Sequence, residues 1–341
     1  MKRAGTEKVR IEVNRLIPFT VTYSTLDAEE LLKFAIKKWN RKPGSEIVLL
    51  KRGMNDTYLI TEPSGKKFIL RIYSHKWRSI LGINDEVGLI ERACLEKQFN
   101  LPALVKTKIK PALNIIPAPE GIRVAVMYTF APGKVVRKLT TTQAKLLGKE
   151  TAKMHKFLKK ETKILIDYNY DIDLQFENTL AVLKPILAEH KEQYEYLNKL
   201  KKDFVKTFKE VKKEDLSFGL CHGDLQPENI HFTDDNKVIF FDFDLMGKGF
   251  QAYDIGVFMW YDHKNKTPEI IKSFLEGYES IRKLSVAEHR LLPYFSTLRA
   301  MFQMTLYCKT NNGKHLPLWK PEEVASFVNK IKQWHESKRK A

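Results

Sequence analysis

Cysteine is scarce. Cys94, Cys221 and Cys308 are odd in number and far apart, so neither a disulfide framework nor a zinc-binding spacing is present, and a reducing cytoplasm is the expected setting. Long apolar runs are lacking too: no stretch of about eighteen apolar residues occurs. The N-terminal MKRAGTEKVRIEVNRLIPF mixes charged and apolar residues without a continuous hydrophobic segment, so neither export nor a membrane partner is expected. Internal repeats and low-complexity tracts are missing, which excludes solenoids and linker-like chains. Acidic residues are outnumbered, 41 against 59 Lys and Arg, for a net charge of +18. That surplus favours anionic partners, but it is spread over stretches such as LNKLKKDFVKTFKEVKKEDL, where lysines alternate with acids and apolar residues as on a solvated helix face. Only IKQWHESKRKA is a compact basic tract, and it has no aromatic series beyond Trp334, so nucleic acid is not an expected partner. At 341 residues and 43% hydrophobic content, the chain is long enough to bury cores in two lobes.

Chemistry concentrates in Cys221 to Asn229, which carries His222, Asp224 and Asn229 in an H-x-D-x4-N spacing. Phe218-Gly219-Leu220 leads in, Asn229 to Phe232 leaves as a strand, residues 234–237 form a turn, and Val238 to Phe241 is an apolar strand that delivers Asp242 at its end. One carboxylate to receive a hydroxyl proton, one carboxamide oxygen to hold a metal and a second carboxylate nearby are the minimum parts of a phosphoryl-transfer centre. Positioning and charge neutralisation by Mg²⁺ supply most of that catalysis. Acids flanked by apolar strands also need a metal or cation to offset their desolvation. His222 reads as a hydrogen-bonding support of the loop.

The stretches CHGDLQPENIHF and VIFFDFDLMGKGFQAYDIGVFMW resemble the catalytic segment of the aminoglycoside phosphotransferase family, which is related to choline kinases, kinase-like homoserine kinases and bacterial stress kinases. A weaker resemblance runs from Val48 to Leu298. It implies an α+β, bilobal protein-kinase-like fold. Residues 1–132 would form a small, β-rich, nucleotide-binding lobe with one main helix and a helical N-terminal extension, and residues 133–341 a larger, mostly helical lobe with the catalytic loop and acceptor site. The resemblance further implies Asp224 as catalytic base with His222 beside it, Asn229 and Asp242 as Mg²⁺ ligands, Asp254 as a brace of the catalytic loop, and ATP or GTP as co-substrate. An acid at Asp254 also suits a helix N-terminus. Asp244 stands where protein kinases have the Gly of D-F-G; it faces the substrate, assists the metal or begins the next loop.

Asp27 caps an apolar-periodic helix to Asn40, and strands follow at 47–51, 57–60 and 67–73, separated by turns at 52–56 and 63–65. The protein-kinase G-x-G-x-x-G is absent. Gly53-Met54-Asn55 matches the sparser loop of the resembling family, with Gly53 amides over the phosphates and Asn55 beside them. Arg71 takes the place of the phosphate-gripping lysine and suits it as a permanently charged fork, with Lys67 a fallback on the same strand face. The helix over 85–95 offers Glu86 and Glu91 as partners for Arg71, Glu86 being the better match. The strand Ile122 to Phe130 runs into Ala131-Pro132-Gly133 as the hinge, with the backbone of Met127, Tyr128, Thr129 and Phe130 facing the purine.

Beyond the hinge, Thr140 and Gln143 make a capping box, Leu147, Met154 and Leu158 a core stripe, and His155 a packed core histidine. Residues 173–216 give two helices, and Ser285 with Glu288 caps another that runs to Tyr307. Asp244, Asp262 and Asp173, with His263, Asp171 and Glu177, are groups suited to selecting an amine-bearing hydroxyl compound, although an acid or histidine taken singly is more often a surface residue. The expected activity is γ-phosphate transfer from ATP or GTP to a hydroxyl of a small molecule, an amine-bearing metabolite or an aminoglycoside-like antibiotic. A stress-type Ser/Thr protein kinase and a non-catalytic nucleotide-binding module are the alternatives. Intact Asp224, Asn229 and Asp242 argue against the module, and the missing A-P-E segment and short path from Asp242 to Asp254 argue against a regulated activation loop.

Overall fold

The structure, a computed structural model, describes residues 20–107, 113–165, 167–261, 267–310 and 319–339. The chain first builds α1 (Ala28–Trp39), β1 (Glu46–Arg52), β2 (Asp56–Thr61), β3 (Lys67–Tyr73), α2 (Ile80–Glu96), β4 (Asn114–Ala118) and β5 (Gly121–Thr129). The strands form one antiparallel sheet in the order β1-β2-β3-β5-β4. The Asp27 side chain accepts from the Glu30 N–H to start α1, which buries Leu31, Ala35 and Trp39 against Tyr58, Leu70 and Met127 on one sheet face. Alternation along β3 sends Phe68, Leu70 and Ile72 into that core and turns Ile69 and Arg71 to the other face. Helix α2 begins at Ile80, earlier than Asp85, because the Ser79 hydroxyl caps it by accepting from the Gly82 N–H.

The remainder is mostly helical: α3 (Thr141–Leu158), β6 (Tyr168–Asn169), α4 (Ile172–Ile186), α5 (Lys191–Lys209), β7 (Phe218–Cys221), β8 (Ile230–Phe232), β9 (Val238–Phe240), β10 (Gly247–Phe250), α6 (Ala252–Trp260), α7 (Pro268–Glu279), α8 (Val286–Thr310) and α9 (Pro321–Arg339). The short strands pair as β6-β10-β7 and β8-β9. Both expected capping pairs form. Thr140 and Gln143 exchange bonds at the start of α3, and Ser285 and Glu288 do so before α8. Helix α9 has no counterpart among the expected elements, although Val324, Val328 and Ile331 lie at helical spacing and are all buried. One core cluster runs from Val87 and Ile90 of α2 through β5 into α3, α6 and α8, so α2 packs on both halves of the chain. Among the described residues no helix is long and apolar enough to cross a membrane.

Helix α6 is buried along its whole length and carries the residue that anchors the loop after β7. Asp254 accepts the backbone N–H groups of His222 at 2.7 Å and Gly223 at 2.8 Å, and the His155 Nε2 lies 2.9 Å from the same carboxylate. His155 Nδ1 in turn meets the Tyr278 hydroxyl at 2.7 Å. Gly223 has φ +82°, and a Cβ there would lie 1.9 Å from the Leu245 carbonyl oxygen, so only glycine fits this turn.

Burial would raise the Asp254 carboxyl, but the hydrogen bond and charge of His155, then His222 and the Gly223 N–H, hold it below the usual range. A carboxyl depressed in the folded state contributes stability that is present above an unfolded value of about 4 and is lost as pH falls below it. Asp254→Asn sets an N–H₂ group against this row of donors. It should lower the urea-unfolding free energy at pH 7 by roughly 2–4 kcal/mol, with the deficit shrinking below pH ~4; equal deficits at both pH values would contradict the assignment.

Candidate active site

The loop after β7 is tied down at nearly every polar atom. The Asp224 Oδ1 accepts from Arg299 at 2.5 Å, and its Oδ2 accepts from Gln226 Nε2 at 2.7 Å and Asn229 Nδ2 at 2.8 Å. Asn229 Nδ2 also donates to the Asp224 carbonyl at 3.0 Å. His222 Nε2 donates to the Phe241 carbonyl at 3.1 Å while its Nδ1 accepts from the Asp224 N–H at 3.3 Å. Both ring nitrogens are thereby engaged with the backbone of the loop and of Phe241, so His222 braces the loop. Burial pushes the Asp224 carboxyl up, with the Arg299 charge the main opposing influence.

Across the cleft, Asp242 follows β9 with φ +65°, a left-handed conformation that Asp tolerates better than most residues and that occurs where a side chain is aimed. Arg71 donates to Asp242 Oδ1 at 2.8 Å and to Asp244 Oδ2 at 2.5 Å. Burial would raise Asp242, but Arg71, then Lys51 and His222, bring it below the ordinary carboxylate range. For Asp244 burial prevails and its carboxyl is raised. Its Oδ1 is buried without a hydrogen-bond partner.

Several expected positions lie elsewhere. Glu86 does not pair directly with Arg71. It accepts from Arg78 at 2.8 Å and from the Tyr73 hydroxyl at 3.0 Å, because Arg78 reaches it from the loop before α2 while the fork of Arg71 is drawn to Asp242 and Asp244. Arg78 also donates to Asp167 at 2.5 Å and to the Asp244 carbonyl at 2.8 Å. Glu91 pairs instead with Lys106. Asn55 borders the cleft with both ends of its amide engaged: the nitrogen donates to Asp244 and the oxygen accepts from the Ser74 N–H at 2.9 Å. Gly53 borders the cleft, yet a Cβ would meet nothing closer than 3.7 Å, so the turn does not require glycine there. Met127 points into the core below α1, and its carbonyl accepts from the Val105 N–H, so of the four expected hinge positions Tyr128, Thr129 and Phe130 front the cleft. Asp173 is exposed in the first turn of α4, where the helix dipole favours an acid, and does not line the cleft. Asp262 and His263 lie outside the described residues.

A cavity of ≈ 270 Å³ runs from Leu50, Ile69, Leu101 and Tyr128 to a polar end at Arg71, Asn229 and Asp242. A second, of ≈ 140 Å³, shares Lys51, Arg71 and Asp242 and continues past Asp224, Asp244 and Trp77 to Tyr261 and Arg299. The first suits a flat apolar group, the second a small polar one, and they meet at the charged residues. Arg78, Arg299, Lys51 and Gln226 were not anticipated. The readable signal was an arginine inside the apolar run FSTLRAMFQM, since a buried arginine needs acidic or carbonyl partners.

The oxygen donors fit a hard divalent cation. Asn229 spends its Nδ2 on Asp224 and keeps its carboxamide oxygen, and Asp242 contributes a carboxylate. Among the described residues no group of three or more His, Cys, Asp or Glu could hold a metal, so a cation here needs phosphate oxygens as additional ligands.

Burial pushes Glu86 up to about 7 against the opposing charge of Arg78. A carboxyl raised in the folded state contributes stability that is complete below its unfolded value and is lost as pH rises through the folded one. Glu86→Gln has no charge to desolvate, so its stability relative to the native protein should improve between pH 5 and pH 8 in thermal unfolding. Its turnover should stay within about an order of magnitude, because Arg71 is held by other carboxylates. A pH-independent difference, or complete loss of activity, would contradict this arrangement.

Comparison with known proteins converges on one family. The profile of the phosphotransferase enzyme family, APH, matches residues 47–294. A protein of Synechocystis sp. described as uncharacterized is 26% identical over 294 residues, 86% of this chain and 81% of that one. The homoserine kinase of Xanthobacter autotrophicus is 24% identical over 296 residues, 82% of this chain and 85% of the enzyme. In solved structures, the amicoumacin kinase hAmiN in complex with AMP-PNP, Ca²⁺ and Ami aligns with a TM-score of 0.69 at 21% identity, covering 92% of this chain and 94% of that one. The microcompartment-associated aminopropanol kinase aligns at 0.67 and 18% identity, covering 91% and 98%. These two likenesses show a shared kinase-like fold. With the profile spanning most of its length, the chain belongs to the phosphotransferase enzyme family and is a phosphotransferase with an alcohol group as acceptor.

Proposed function

We propose that the protein transfers the γ-phosphate of ATP or GTP to a hydroxyl of a small, amine-bearing molecule, in a cleft between lobes formed by residues 1–132 and 133–341. The observation that carries this reading is the meeting of two cavities at Lys51, Arg71 and Asp242, with Asn229 lining the first and Asp224 the second. The apolar cavity takes the purine against Ile69, Leu101 and Tyr128. Ala131 offers a hinge N–H that has no partner among the described residues, while its carbonyl faces His231 at 3.2 Å. Arg71, forked and permanently charged, turns from its carboxylates toward the phosphates. Asn229 and Asp242 would hold Mg²⁺, which when bound neutralises charge on the phosphate oxygens. Asp224 orients the acceptor hydroxyl and receives its proton. The carboxylate of Asp244 and the rings of Trp77 and Tyr261, which line the second cavity, suit an ammonium group on the acceptor. Homoserine kinase, aminopropanol kinase and ethanolamine kinase among the similar proteins are named for amine-bearing alcohols.

The experiment is a coupled phosphate-transfer screen with ATP and GTP against homoserine, aminopropanol, ethanolamine, choline, aminoglycosides, sugars and a generic protein. A gain over background hydrolysis with one amine-bearing alcohol is expected; a gain with the protein alone would favour the protein-kinase alternative. With the acceptor in hand, Asp224→Asn should lower turnover about a hundredfold or more while nucleotide affinity stays within a few-fold. Near-normal turnover would sink the base assignment. ATP should stabilise the native protein thermally by mass action only when Mg²⁺ is present, and Asp242→Ala should abolish that stabilisation. Stabilisation that survives both the substitution and chelation would rule out the metal assignment.

A further inference from the structure

Arg299 is a buried cation bonded to the loop after β7, and the phosphotransferase motif assigns it nothing. It sits mid-way along α8, in a stretch where every residue from Leu291 to Thr305 is buried or half-buried. One guanidinium nitrogen donates to the Gly223 carbonyl at 3.1 Å; the other donates to Asp224 Oδ1 at 2.5 Å and to the Tyr261 hydroxyl at 2.6 Å. The Tyr261 and Phe302 rings lie 5.0 Å and 5.6 Å from its charge centre, and its Nε is buried without a partner. Its terminal nitrogens are thus committed to the loop and to Tyr261, and the guanidinium acts on Asp224.

Lone pairs show what that action does. A carboxylate has about four acceptor sites. Asp224 Oδ2 already accepts two hydrogen bonds, from Gln226 and Asn229, whereas Oδ1 accepts one, from Arg299. The remaining acceptor position therefore belongs to Oδ1, the oxygen that Arg299 grips. We propose that Arg299 is a positioning residue: it fixes the plane of the Asp224 carboxylate and aims the open lone pair of Oδ1 into the cavity toward the acceptor hydroxyl. The planar fork reaches a carbonyl and a carboxylate of adjacent residues with two separate, coplanar nitrogens, where an ammonium has a single nitrogen to share between them. Tyr261 holds the fork from the cavity side. This inference rests on the proposed role of Asp224 as base.

The test is a double-mutant cycle of Arg299→Gln, Arg299→Lys and Tyr261→Phe, each made in the native and the Asp224→Asn backgrounds, with turnover, acceptor KM and nucleotide Kd measured. In the native background Arg299→Gln should cost about tenfold or more in kcat with nucleotide Kd within about threefold. Arg299→Lys should recover part of that loss, and Tyr261→Phe should show a smaller loss in the same direction. In the Asp224→Asn background all three should change residual turnover by less than about threefold, since the residue they act through is gone. Equal losses in both backgrounds, or a fall in nucleotide affinity that accounts for the lost turnover, would overturn the proposal. Should Arg299→Gln fail to fold, the Lys and Phe cycles decide by the same criterion. Asp224→Asn with near-native turnover would instead sink the base reading itself, a result distinguishable from additive losses on an inactive background.

Discussion

Everything in the cleft hangs on one carboxylate that never faces it. Asp254, rooted in the fully buried α6, takes two consecutive backbone N–H groups of the catalytic loop and is itself aimed by His155 from α3. Two successive amides on one carboxylate fix both position and direction of the chain, and the left-handed turn at Gly223 then brings Asp224 round to the floor. From the opposite side Arg299 holds the Gly223 carbonyl, so the turn is gripped through its donors by α6 and through its acceptors by α8. A site built this way owes its precision to helices of the core, which hold it more rigidly than a free loop would.

The second constraint is charge. Asp224, Asp242, Asp244 and Glu86 are all largely withdrawn from water, and unpaired carboxylates there would be costly. Three arginines neutralise them. Arg299 serves Asp224, Arg71 serves Asp242 and Asp244, and Arg78 serves Glu86 and Asp167 and lies 3.9 Å from Asp244 Oδ1. This division leaves Arg71 without a bond to Glu86 and with partners that a phosphate group would replace. Arg78 sits deeper, with no side-chain exposure, and ties the start of α2 to the segment before β6 and to the backbone of Asp244. Losing Arg78 would strand two acids, whereas losing the Glu86 charge removes a desolvated group.

Local pairings were legible in the sequence because their partners sit at fixed spacing. The Asp27 cap, the Thr140–Gln143 box, the Ser285–Glu288 pair and the alternation that turns Arg71 to the cleft all depend on neighbours within a turn or a strand. The catalytic loop was legible as a motif, and Asp224, Asn229 and Asp242 do converge on adjoining cavities. What escaped was set by contacts far apart in the chain. Arg299 and Asp224 are separated by 75 positions, and Asn55 and Asp244 by 189. A polar residue in a turn looks the same in sequence whether or not it also braces an aspartate, and the bond from Asn55 to Asp244 was not legible there. Asp173 misled for the opposite reason: an acid at a helix start satisfies the dipole and needs no ligand.

The central claim is that Asn229 and Asp242 hold the metal of a bound nucleotide within reach of Arg71, with Asp224 free for the acceptor. Crystals grown with Mn²⁺ and a non-hydrolysable ATP analogue test it directly through the anomalous signal of the metal. The account predicts a Mn²⁺ peak ligated by the Asn229 carboxamide oxygen, an Asp242 carboxylate oxygen and phosphate oxygens, the purine along Ile69 and Tyr128, and Arg71 moved from Asp244 onto phosphate. A metal held by other residues, or a nucleotide outside the cleft with Arg71 still on both aspartates, would contradict it.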